Sequence, residues 1–174
     1  MVRAETLEGL DLQGLARAAL EKDGESPAAS GLFLSLDVPR RLLRLAFDGP
    51  HTYGPAGAEW YRQHHALAQA LSRAQAGTVH AYAFDPDRFE SVTAYGSGTA
   101  VGGETLLYEE QDLDVEELSE AAFEAVRARW PMGRLAGLLG MSREELLRLP
   151  YAQGALVPLQ GEVDVAALVL APRG

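Results

Sequence analysis

A chain of 174 residues, 47% hydrophobic and 23% charged with a net charge of −10, carries enough apolar material to close around one core. That balance excludes collagen-like, coiled-coil and wholly disordered chains. No cysteine is present, which removes thiolate catalysis, sulfur-ligated zinc and disulfides.

Residues 5–21 place Leu7, Leu10, Leu15 and Ala19 at helical spacing before Gly24, Ser26 and Pro27 break the pattern, so a first amphipathic helix is expected there. Residues 31–36 alternate as a strand. Asp37 and Pro39 suit a helix start, and Leu42, Leu43, Ala46 and Phe47 supply an apolar stripe that Gly49 and Pro50 end. A longer helix is expected over 58–75, with Trp60, His64, Leu67, Leu71 and Ala74 on its buried side. A strand around Val79, Ala81 and Ala83 stops at Asp85-Pro86-Asp87. Two further strands, 91–95 and 105–108, are joined through Gly96-Ser97-Gly98 and Gly102-Gly103 in a long or bulged hairpin. Asp114 and Glu117 read as a capping box for a helix carrying Leu118, Ala122, Val126 and Trp130. A short helix over 133–139 ends at Gly140, and Ser142 with Glu145 caps another that Pro150 stops. Strands at 156–159 and 163–170 close the chain. The expectation is a single α+β domain over residues 1–174, a mixed but largely antiparallel sheet of about five to seven strands covered by helices.

The charge is lopsided. Residues 89–126 hold ten acids and no lysine or arginine, and the rest of the chain is formally neutral. A concentrated negative potential attracts a basic partner and repels nucleic-acid phosphates. Lysine occurs once, as Lys22 followed by Asp23, which leaves no phosphate-cradling Gly-Lys-Ser/Thr loop. The longest apolar run, 165–171, is too short to cross a bilayer, and Glu5 and Glu8 interrupt the apolar stretch that a signal peptide needs. A cytoplasmic location with no membrane attachment is expected.

The four histidines and the turn carboxylates are the candidate catalytic groups. His64 and His65 are adjacent on a helix, so their side chains diverge by about 100° and do not chelate one ion together. His64 falls on the apolar stripe and reads as a hydrogen-bonded core residue; His51 and His80 have no sequence-local partner. Asp85-Pro86-Asp87 after an apolar strand resembles the nucleophile loop of haloacid-dehalogenase-like phosphatases, which implies Asp85 as nucleophile and Asp87 as acid/base. The later lysine of that family has no counterpart, since Lys22 precedes the motif. The same Asp-x-Asp resembles the divalent-ion site of nucleotide-sugar glycosyltransferases, whose catalytic domains are larger. A strand-terminating turn is the favoured reading. Residues 134–149, with Ala136, Gly140, Ser142 and Leu146, resemble the helix-turn-helix of bacterial repressors, but the second helix opens Arg143-Glu144-Glu145, a poor start for reading bases. A structural helical hairpin is expected.

These observations converge on a non-enzymatic module that binds a basic protein partner, most concretely an immunity or antitoxin-type inhibitor of a nuclease toxin. The expected contact set is Glu104, Tyr108, Glu109, Glu110, Asp112, Asp114, Glu116, Glu117, Glu120 and Glu124, with Tyr95, Leu113 and Leu118 as additional apolar anchors. No cofactor, metal or catalytic set is assigned. The alternatives are a small metal-assisted hydrolase of a phosphorylated substrate, built on the histidines and Asp85 or Asp87, and a scaffold or regulatory adaptor with the same acidic face.

Overall fold

The computed structural model describes residues 1–3, 9–22, 31–48, 59–75, 77–111, 118–148 and 155–159. In chain order they form β1 (Val2–Arg3), α1 (Leu12–Lys22), β2 (Gly31–Asp37), β3 (Leu42–Asp48), α2 (Glu59–Ala74), β4 (Thr78–Asp85), β5 (Phe89–Gly96), β6 (Thr99–Leu107), a single 3-10 turn (Tyr108–Glu110), α3 (Glu120–Arg127), α4 (Pro131–Leu139), α5 (Arg143–Leu147) and β7 (Ala155–Pro158). The class is α+β, and all strand pairing is antiparallel. The strands divide between two sheets, ordered β1-β3-β2-β7 and β4-β5-β6, instead of forming the one sheet expected from the sequence. None of the described helices is long and apolar enough to cross a membrane.

Several boundaries differ from the sequence expectation, each for a local reason. The first helix starts at Leu12 because the Asp11 carboxylate caps it, accepting the Gly14 N–H at 2.8 Å, and Gly9 just before it is left-handed at φ 78°. The segment expected as a helix after Asp37 is a strand. Leu42, Leu43, Ala46 and Phe47 satisfy a helical stripe, but equally a strand with apolar residues on both faces, and β3 is buried on both. Asp37 makes the preceding turn, accepting the Arg40 N–H at 3.0 Å and its guanidinium at 2.8 Å, while Arg41 at φ 53° reverses the chain.

The β5–β6 connection is also shorter than expected. Ser97 at φ 51° and Gly98 at φ 80° form a two-residue turn of the primed type, so Gly102 and Gly103 lie inside β6 instead of in a loop. Ala94 pairs with Gly102 and Tyr95 with Ala100, which leaves Val101 as the extra residue of a bulge. In α3 the cap is Ser119, whose hydroxyl accepts from the Ala122 N–H at 3.3 Å; the capping box expected at Asp114 lies outside the described residues. Trp130 is not on α3 but at the start of α4, where Pro131 takes the first helical position. The Ser142–Glu145 capping box forms as expected, and Gly140 ends α4 at φ 69°. The strand expected over 163–170 lies outside the described residues.

Two apolar clusters sit on opposite faces of the sheets. One joins α1 and α2 to Leu32, Leu34, Leu43, Phe47, Val79 and Ala81. The other joins α4 and α5 to Met1, Leu42, Tyr82, Phe84 and Val92. Alternation along β3 and β4 therefore feeds both clusters, the reason neither strand shows one polar face. Met1 ties the sheets together: its amine donates to the His80 carbonyl at 2.6 Å and its carbonyl accepts the His80 N–H at 3.0 Å. Arg44, buried beneath α5, donates to the carbonyls of Glu145, Leu146 and Arg148 at 2.5, 3.0 and 3.1 Å, so a guanidinium closes the helix end where orphan carbonyls collect.

Candidate partner-binding surface

The acid-rich segment runs from β5 through β6 and the 3-10 turn to α3, and the fold sorts its carboxylates into three kinds. Glu90 is fully buried. It accepts the Met132 N–H at 2.7 Å, Arg143 Nη2 at 3.1 Å and the Tyr108 hydroxyl at 3.4 Å. A carboxylate is thus held at the positive N-terminus of α4 and paired with an equally sequestered guanidinium. The Arg143 guanidinium lies over the Phe84 ring, 5.2 Å from its centroid. Alternation betrays this role in the sequence, since Glu90 shares its face of β5 with Val92 and Ala94.

Glu104 and Glu124 are of the second kind, surface carboxylates with arginine partners. Glu104 pairs with Arg134 of α4, and Glu124 pairs with Arg127 one turn along α3 at 2.6 Å. Glu109, Glu110 and Glu120 form the third kind: all are exposed, and among the described residues none of them is in an ion pair. Asp112, Asp114, Glu116 and Glu117, together with Leu113, lie outside the described residues.

Three aromatic rings connect the turn to α3. Tyr108 stacks on Trp130 with centroids 5.2 Å apart, and Phe123 meets Trp130 edge-on at 6.2 Å. Glu109 and Glu110 follow Tyr108 directly and Glu124 follows Phe123, so the rings draw the two acidic stretches together. The Tyr108 hydroxyl is pushed up to about 12, first by burial and then by the Glu90 charge, and stays a neutral hydrogen-bond donor at any physiological pH. Phe123 and Trp130 are not legible as a pair of anchors in the sequence because they belong to different elements, Phe123 to α3 and Trp130 to the cap of α4. Tyr95 does not share this surface: it packs against the α1–α2 cluster and its hydroxyl bonds His65 Nδ1 at 2.8 Å. Leu118 is half-buried ahead of α3.

A cleft of about 290 Å³ opens beside this surface, between the sheet and α4. Its floor is the cross-strand row His80, Ala94 and Gly102, and Leu135 and Leu138 form its helical wall. The Arg134–Glu104 pair contributes its polar side. Burial, and then the neighbouring Met1 amine, lowers the His80 pKa.

His64, His65 and Asp85 each hold a hydrogen bond within the fold. His64 Nε2 accepts the Phe47 N–H at 3.1 Å, so this histidine pins α2 to β3 while His65 reaches Tyr95. The Asp85 carboxylate accepts the Asp87 N–H at 3.0 Å, the turn favoured from the sequence. Among the described residues no three His, Asp or Glu side chains come together as a metal set, and His51 lies outside them. In the helix-turn-helix-like segment, α5 is short and its Arg143 is turned inward to Glu90, away from any nucleic acid. No family model matches the chain, nor does any curated protein or solved structure.

Proposed function

We propose that the chain is a non-enzymatic binding module whose acidic face, centred on the 3-10 turn and the start of α3, docks on a basic protein, most concretely as an immunity or antitoxin-type inhibitor covering the cationic groove of a nuclease toxin. The observation that carries the reading is the Tyr108–Trp130–Phe123 ring contact, which links the turn bearing exposed Glu109 and Glu110 to the helix that exposed Glu120 opens, in a segment without one basic residue between 89 and 126. Carboxylates supply long-range attraction and register, and the rings supply area that can be desolvated. The contact set is Tyr108, Glu109, Glu110, Asp112, Asp114, Glu116, Glu117 and Glu120, with Glu104 and Glu124 at its margin because each already holds an arginine.

The test is co-purification with the protein encoded in the neighbouring gene, repeated with Glu109, Glu110, Glu116 and Glu117 all reversed to lysine. The reversed chain keeps its melting temperature and loses capture. Native capture weakens by about tenfold or more as salt is raised from low to several hundred millimolar. Equal capture by the two chains at every salt concentration refutes the proposal.

A further inference from the structure

We propose that the outer edge of β6, over residues 102–107, and the cleft beside it receive an extended basic segment of the partner as an added strand, its alternate side chains entering the cleft between β6 and α4. This rests on the acidic-surface reading and specifies how that surface is engaged.

Gly102 carries the argument. Its neighbour Gly103 has a reason within the chain, since a Cβ there would press on Thr93 Oγ1 and the Val92 carbonyl at 3.3 Å each. At Gly102 a Cβ would meet no described atom within 4 Å, and the backbone is not left-handed. Glycine in a strand interior marks a bulge or a place where another backbone approaches closely; Gly102 follows the Val101 bulge, and its missing Cβ also keeps the sheet side of the cleft open toward the edge. Gly102 lies on the floor of the cleft, with the exposed Leu138 on the opposite wall.

The edge itself is available. Among the described residues β6 pairs on one side only, with β5, and residues 99–105 are exposed in succession. Edges of this length are usually blunted by lysine, proline or a bulge. Here the bulge at Val101 interrupts the edge but leaves residues 102–107 in regular register. Strand addition uses such an edge for main-chain hydrogen bonds and adjoining pockets for every second side chain.

Charge selects the occupant. A second copy of this chain, paired edge to edge, would bring Glu104, Glu109 and Glu110 of both molecules to one seam, where like charges repel. A lysine- or arginine-bearing strand meets the same carboxylates favourably, and its cation can exchange with Arg134 at the half-exposed Glu104.

The probe is a synthetic peptide of about eight residues alternating arginine and valine, with two analogues: glutamate for arginine, and N-methyl groups on alternate backbone nitrogens. With the isotope-labelled full chain, the parent peptide shifts the amide resonances of residues 102–107 and slows their hydrogen exchange by about tenfold or more. The N-methylated analogue loses this protection. Gly102→Val melts no lower than the wild type and binds the parent peptide about tenfold more weakly. Strand addition is overturned if N-methylation or Gly102→Val leaves binding unchanged, if the alternate amides of residues 102–107 that point away from β5 already exchange slowly in the free chain, or if the free chain dimerises through them. A glutamate analogue binding as tightly as the arginine peptide instead overturns the underlying acidic-surface reading.

Discussion

Among the described acids of the stretch, Glu90 is the one whose removal should damage the fold, and the size of the effect follows from its contacts. Replacing it with glutamine preserves shape and one acceptor for the Met132 N–H, but leaves the Arg143 guanidinium, itself nearly inaccessible, without its counter-charge. Stranding one partner of such a pair costs about 3–5 kcal/mol. For a chain of this size that lowers the melting temperature by about 6–20 °C. Urea unfolding of Glu90→Gln, Arg143→Leu and the double variant forms a cycle in which the double variant recovers at least half of the loss, because no uncompensated charge remains. A spectroscopic readout separates this from general loosening. The Tyr108 hydroxyl, held at about 12 by burial first and the Glu90 charge second, moves down in Glu90→Gln while burial keeps it above the ordinary value of 10.0. A loss under about 1 kcal/mol together with an unmoved Tyr108 titration would refute the assignment of this carboxylate as the clamp on α4.

Three further outcomes can be measured without a partner. The Met1 amine is lowered from 8.0 to about 5, by burial and then by Arg44, so the folded state disfavours its proton. His65 and His80 are lowered in the same direction, so urea stability climbs from pH 5 to 8, with at most about 4 kcal/mol from Met1; a flat profile refutes this. Ser97→Asn raises the urea midpoint by about 0.5 kcal/mol equivalent, because asparagine tolerates the left-handed φ 51° better than serine; a lower midpoint counts against the turn assignment. Ser142→Ala removes the hydroxyl that accepts the Glu145 N–H at 3.1 Å and costs about 1 kcal/mol in the same assay.

What could be read in the sequence was set by local chemistry. Caps at Ser142 and Gly140, the stop at Asp85 and the extent of α2 follow from neighbouring residues and were foreseeable. The conversion of the expected second helix into β3 was not, because apolar positions 42, 43, 46 and 47 fit both periods and only burial on two faces decides between them. Division into two sheets was equally hidden, since strand partners distant in the chain decide it, β7 pairing with β2, and so was the Met1–His80 link that joins the two sheets across almost half the chain. For the candidate surface, the acids were legible as a run but their pairing was not. Arg134 and Arg143 follow the run in sequence and fold back onto it from α4 and α5, whereas Arg127 makes a local pair one turn along α3.

That pairing yields a kinetic prediction about the proposed interface. At distances beyond a few ångströms a partner senses net charge, and neutralising Glu104 and Glu124 removes as much of it per residue as neutralising Glu109 and Glu110. Glutamine at either pair should therefore slow association to a similar degree at low salt, and both effects should fade as salt rises. Dissociation separates them. Glu109 and Glu110 are exposed and in no ion pair among the described residues, so contacts they form across the interface are new, whereas Glu104 and Glu124 must give up Arg134 and Arg127 to form one. Surface-immobilised kinetics should show dissociation accelerated about tenfold by Glu109→Gln with Glu110→Gln and less than about threefold by the other pair. Equal acceleration would mean that the internal ion pairs do not govern which carboxylates are free to bind, and the proposed division of the acidic face would fall with them.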